Sequence, residues 1–223
     1  MYGFVDCVHL GTFQPSPFRM RCHRDFERGW GEIYLRTMDI EVECPRRLFT
    51  AEEFERMAAA GVFGPEERLE LIDGEIVEMS PVGPGHGASI VCLTKRFILG
   101  LGDRAVVWIQ SSAVVALRSV PQPDLALLRP RSYRRANPRP DDILLVVEVA
   151  DSSLRYDRIR KARLYALAGI PEYWVVGVQR EWVEVYRTPG GDGYPDVRRV
   201  QRSDTITPLS FPDLVIPVAD IFD

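Results

Sequence analysis

Residues 143–150 read Ile-Leu-Leu-Val-Val-Glu-Val-Ala, ILLVVEVA. A run that is apolar at both alternating sets of positions predicts a strand covered on both faces of a sheet. One residue breaks the pattern. Glu148 is flanked by Val146, Val147 and Val149. A carboxylate taken out of water in such a strand is costly unless a cation or hydrogen bonds compensate it. Working outward, two more charges stand in apolar surroundings within about forty residues of each other. Asp124 follows Pro121 and Pro123 in VPQPDLALL, where Pro123 forces the preceding backbone to be extended. Lys161 lies in a helix expected from about Ser153 to Ala168, stopped by Gly169 and Pro171. At ~100° per residue it shares a face with Leu154, Asp157, Leu164, Tyr165 and Ala168. The chain has 28 lysines and arginines, of which only Lys95 and Lys161 are lysines. A compact ammonium with a tunable pKa suits contact with a water or a phosphate oxygen. Two acids and a lysine together suggest metal-dependent phosphodiester chemistry.

Each residue also has a plain structural explanation. Asp124 can be a turn aspartate at a strand entrance, and Glu148 half of a buried ion pair. Lys161 can be an amphipathic lysine with its stem along the core or a partner of Asp157 one turn earlier. Two weaker candidates precede them. Glu70 in LELIDGEIVEM can face the same cleft from a hairpin, and His86 opens a second helix. Between Asp124 and Glu148, RPRSYRRANPRPDD is an irregular loop with Arg131, Arg134 and Arg135 around Tyr133. A cationic loop beside two carboxylates can hold a nucleic-acid backbone; a solvated surface loop is the alternative.

The remaining elements set the fold class. Thr50 and Glu53 form a capping box before AEEFERMAAA, which stops at Gly61. Asp73-Gly74 is a primed turn between two short alternating strands. PVGPGHG reads as a loop and ASIVCLTKRFILGL as a helix ending near Gly100 or Gly102. AVVWIQSSAVVAL holds one or two strands and DLALLRP another. YWVVGV and EWVEVYRT form an antiparallel pair, and FPDLVIPVADIF is a short strand with a terminal turn. This order predicts an α/β fold with a mixed β-sheet flanked by helices.

With 223 residues and 46% apolar content, one globular domain is expected. Residues 1–40 lack a sustained period and read as a disordered or poorly packed extension, with Met38 a possible true start; residues 41–223 form the domain. Cys7, His9, Cys22 and His23 fit no standard zinc spacing. Cys7, Cys22, Cys44 and Cys92 show no CxxC pairing, so reduced thiols in a cytoplasmic protein are expected. No secretory signal or apolar run of ~18 residues is present, so no membrane partner is expected. A net charge of −4 argues against coating nucleic acid by bulk charge, but a local basic patch suffices for phosphate contact.

ELIDGEIVEMSPVGPGH, Pro123-Asp124, VVEVADSS and KARLYALAGIPEYWVV together resemble the PD-(D/E)XK nuclease superfamily. More closely, they are similar to the large bacterial family of "putative restriction endonucleases", over about residues 48 to 221. The resemblance implies a restriction-endonuclease-like fold. It implies that Asp124, Glu148 and the backbone carbonyl of Val149 bind a divalent metal, magnesium with manganese as a substitute. The superfamily's lysine two residues after the glutamate is Ala150 here. Related families carry that lysine on the next helix, where Lys161 is the candidate. The implied activity is metal-dependent endonucleolytic hydrolysis of phosphodiester bonds, in DNA. Asp124 and Glu148 would hold the metal and Lys161 would assist the attacking water. Glu70 would complete the ligand shell or position that water, and His86 would touch a phosphate. A homodimer is a further expectation, because cutting both strands often uses two active sites. The alternative is a non-catalytic nucleic-acid-binding or interaction module of the same fold.

Overall fold

Thr50 and Glu53 close the expected capping box in the computed structural model, which describes residues 45–81 and 83–223. The Thr50 hydroxyl accepts the Glu53 N–H at 3.2 Å, and the Glu53 carboxylate accepts the Thr50 N–H at 3.0 Å. The helix they start, α1 (Ala51–Ala59), buries Ala51 and Phe54. The extension expected over residues 1–40, with Cys7, His9, Cys22 and His23, lies outside the described residues.

A hairpin of β1 (Leu69–Ile72) and β2 (Glu75–Glu78) follows. Its turn needs two left-handed residues, supplied by Asp73 at φ 53° and Gly74 at φ 87°. Helix α2 spans Pro84–Leu101. It begins earlier than the loop reading of PVGPGHG allowed, because Pro84 sits in the first turn, where a missing N–H costs nothing. His86 therefore lies within the first turn.

The main sheet contains β3 (Val106–Ile109), β4 (Leu125–Leu128), β5 (Ile143–Ala150), β6 (Glu172–Gly177), β7 (Trp182–Arg187) and β8 (Asp196–Gln201), hydrogen-bonded in that order. All neighbours are antiparallel except β5 and β6. That parallel pair needs a crossover, which is α3. This helix has three parts: an α-turn Leu154–Tyr156, a π-helical turn Asp157–Lys161 and an α-helix Ala162–Leu167. A small ribbon, β9 (Thr205–Ile206) and β10 (Ile216–Pro217), ends the fold.

ILLVVEVA forms β5, with β4 on one side and β6 on the other. Its side chains alternate between two cores. Leu145, Val147 and Val149 join Leu125, Leu127 and the Ile90, Leu93, Phe97 and Leu101 face of α2. Val146 and Ala150 join Ala126, Leu128 and the Ala162, Leu164, Tyr165 and Ala166 face of α3. Burying each Val or Leu contributes roughly 1.5–3 kcal/mol, so the register is firmly set. By the same alternation Glu148 faces α3. A strand over residues 196–201 was not anticipated: β8 is the sheet edge, and of its six residues only Val200 is buried. No helix among the described residues is long and apolar enough to cross a membrane.

Candidate active site

Leu125 pairs with Val147 in the β4–β5 ladder, and one further step of that register brings Asp124 beside Glu148. Both are buried, at 4% and 3% exposure. The Asp124 carboxylate is fixed from three sides. Oδ2 accepts the Val149 backbone N–H at 2.9 Å. Oδ1 lies 2.9 Å from His86 Nε2 and accepts a longer hydrogen bond, 3.4 Å, from the Gln110 side-chain amide. Glu148 accepts two donors on one oxygen, Oε1: Lys161 Nζ at 3.0 Å and the Tyr165 hydroxyl at 2.8 Å.

Lys161 closes the π turn of α3, where the Ala162 N–H reaches back to the Asp157 carbonyl. A π turn inserts an extra residue into the helix, and such bulges recur at functional sites. Here the Tyr173 hydroxyl donates to the same Asp157 carbonyl at 3.2 Å. Ala150, the position at which the sequence resemblance would put a lysine, is 2% exposed and belongs to the same core cluster as α3. The ammonium comes instead from α3. Its partners are Glu148 and, at 2.9 Å, Glu70 Oε1. Asp157, the helical partner considered from the sequence, makes no ion pair with it. Glu70 is 2% exposed. Its Oε1 also accepts the Gln122 backbone N–H at 2.8 Å, tying β1 to the segment that leads into Asp124.

Glu70, His86, Asp124, Glu148, Val149 and Lys161 all line one cleft of about 370 Å³. Its wall also includes Arg68, Tyr156 and Asp157, which the sequence reading gave no role in the site. Arg68 brings a guanidinium to this wall, whereas the loop arginines do not line it. Those lie elsewhere. The arginine loop leaves β4 after Leu128, at the end opposite Asp124, so it does not flank the carboxylates. Arg134 and Arg135 line a separate cavity of about 770 Å³ together with α1. Arg131 pairs with Asp142 at 2.5 Å and lies over the Tyr133 ring at 5.1 Å. The sequence reading erred because adjacency along the chain is not adjacency across a strand: β4 separates the two ends.

The electrostatics follow from burial. Desolvation pushes the Glu148 carboxyl well above the usual range; Lys161 opposes this, while Asp124, Asp157 and Glu70 add to it. Burial also raises Asp157. For Lys161, burial pulls downward, but Glu148 and Glu70 outweigh it and hold the ammonium protonated. Burial, with the Glu148 charge next, raises the Tyr165 phenol, so it stays a donor.

Among the described residues, no three His, Cys, Asp or Glu side chains form a ready metal shell. The donor chemistry nevertheless fits a hard divalent cation. Glu70, Asp124, Glu148 and Asp157 are all buried at one cleft against a single buried lysine, an excess of negative charge on oxygen donors. Asp124, Glu148 and the Val149 carbonyl are the groups that would hold it.

A crystal structure, at 1.96 Å resolution, of "a putative nuclease belonging to DUF820 from Anabaena variabilis ATCC 29413" is similar in fold, with a TM-score of 0.60 and 17% identity. The match covers 78% of this chain and 97% of that one. No curated protein matches the chain. The family Uma2, described as "Putative restriction endonuclease", matches residues 51–219. That span runs from the first residue of α1 to the terminal turn and contains every residue of the cleft, so the chain belongs to the Uma2, restriction-endonuclease-like family.

Proposed function

We propose that this protein is a metal-dependent endonuclease that hydrolyses phosphodiester bonds in DNA. Magnesium, with manganese as a substitute, would be held by Asp124, Glu148 and the Val149 carbonyl. The observation that carries this reading is the position of Lys161 Nζ, 3.0 Å from Glu148 in the cleft that Asp124 also lines. When bound, the cation lowers the pKa of a coordinated water and polarises the scissile phosphate.

The chain's own residues supply the rest. Lys161, held protonated, is a cation and donor rather than a general base; it orients the attacking water or stabilises the developing charge. Glu70 holds Lys161 in place through its 2.9 Å contact. Asp124 is kept in one orientation by the Val149 N–H and by His86, and His86, in the cleft wall, would contact a phosphate oxygen. Two copies, each with one cleft, would cut the two strands of a duplex.

One observation favours the non-catalytic alternative. Glu70, Lys161 and Glu148 already satisfy one another as a buried ion-pair network, which a binding module could retain for structure alone. Supercoiled plasmid separates the two. Purified protein with magnesium or manganese is expected to nick and linearise the plasmid, while Asp124→Ala and Glu148→Ala do not. Equal cleavage by all three would identify a contaminant. No cleavage together with no calorimetric metal binding would favour the binding module.

A further inference from the structure

Glu148 takes both of its donors on Oε1 and leaves Oε2 for the cleft. One donor is Lys161. The other is the hydroxyl of Tyr165, at 2.8 Å, four residues further along α3. Tyr165 is fully buried and packs on Tyr173, with ring centroids 5.0 Å apart. The other buried tyrosines of this cluster give their hydroxyls to groups other than a cleft carboxylate. Tyr186 donates to Glu184, which does not line the cleft, at 2.9 Å. Tyr173 donates to the Asp157 carbonyl and Tyr194 to the Ile170 carbonyl, at 3.2 and 2.8 Å. These two acceptors are backbone carbonyls. Tyr165 instead spends its hydroxyl on a cleft carboxylate.

A carboxylate with one donor can still swing about its Cγ–Cδ bond. Two donors arriving at the same oxygen from one helix remove that freedom. We infer that Tyr165 is a positioning residue of the proposed metal centre: its hydroxyl and Lys161 together clamp Glu148 so that the second oxygen is presented to the cation. The inference rests on the metal-dependent reading above. It also explains why a tyrosine and not a phenylalanine stands here, although the ring packs wholly in the core. Groups that orient a metal ligand typically change metal affinity or activity by about 10–100-fold when removed.

The test is Tyr165→Phe, which deletes one oxygen and keeps the ring, with Tyr194→Phe as a control for loss of a buried tyrosine hydroxyl. Three quantities are compared with wild type: unfolding in chelator, manganese binding by calorimetry, and kcat and KM on duplex DNA. Tyr165→Phe is expected to fold, to keep KM for DNA within about twofold and to lose about 10–100-fold in manganese affinity or kcat. Tyr194→Phe is expected to change stability without moving either. A wild type that binds manganese and cleaves, beside a Tyr165→Phe that does both equally well, overturns the inference and leaves the proposed activity standing. The same holds if both variants lose affinity equally. A wild type that neither binds nor cleaves overturns both.

Discussion

Asp124 accepts the backbone N–H of Val149 at 2.9 Å, so the carboxylate ahead of β4 is fastened to β5 one residue after Glu148. Val149 is buried, and its N–H has no water to turn to. Asp124→Asn keeps an acceptor oxygen for it; Asp124→Ala does not. Leaving a buried donor unpaired costs about 1–3 kcal/mol. Urea unfolding in chelator is expected to find Asp124→Ala less stable than Asp124→Asn by that amount, with both inactive on plasmid. Equal stabilities would mean that the bond contributes nothing to the fold.

Lys161 neutralises two buried carboxylates at once. Lys161→Met keeps the length of the side chain and strands Glu70 and Glu148, a loss of about 3–5 kcal/mol for a broken buried pair. Adding Glu70→Gln removes one stranded charge and should recover part of it. The chemical-denaturation midpoints of the two variants check this. A Lys161→Met protein as stable as wild type would show that the ion pairs make no net contribution to the fold.

Asp157 gives a pH dependence with a definite sign. Burial raises its carboxyl above the ordinary value of 3.8. The folded chain therefore holds a proton that the unfolded chain has released, and stability falls as pH rises from 3.8 through the raised value. Asn at this position has no such proton to lose. Asp157→Asn is expected to be more stable than wild type near neutral pH, with the advantage gone below the ordinary value. Unfolding midpoints at about pH 3.5 and pH 7 decide it. An advantage that persists in acid would trace to something other than titration.

The arginines divide by position. Arg68 lines the carboxylate cleft, while Arg134 and Arg135 line the cavity beside α1. Arg68→Ala is expected to raise KM for DNA and to reduce the slope of log affinity against log salt by about one. Arg134→Ala and Arg135→Ala should leave kcat within about twofold of wild type. Filter binding across a salt series, with turnover at saturating DNA, separates these outcomes.

Local signals made much of this fold legible. The capping box, the Asp73-Gly74 turn, the doubly covered β5 and the antiparallel β6–β7 pair are each decided by a few neighbouring residues. What could not be read was long-range. Four of the six residues of β8 are polar and only Val200 is buried, because it is an edge, so it offers no alternation. The π turn in α3 shares its Asp157 carbonyl with a hydroxyl from Tyr173, twelve residues beyond Lys161 in sequence. A charge inside an apolar run also proved an incomplete signal. Glu172 and Glu184 are as buried as Glu148, yet Glu172 is paired to Arg187 and Glu184 to Arg158 and Arg199. What sets the cleft apart is the ratio: several carboxylates share one ammonium. The sequence lists such residues but does not say which share a wall.

The contact between Glu70 and Lys161 spans 91 positions of the chain, and the bond from Gln122 to Glu70 spans 52. Contacts of such high sequence separation form late, because the loops they close must first give up their entropy. During synthesis the first hairpin and both acidic strands leave the ribosome before α3 does. A partly made chain therefore carries its acids without the lysine, and the cleft becomes complete only when the crossover from β5 to β6 locks down. Under the proposed function, a chain that stops short of α3 would hold its buried acids without the ammonium that completes the cleft.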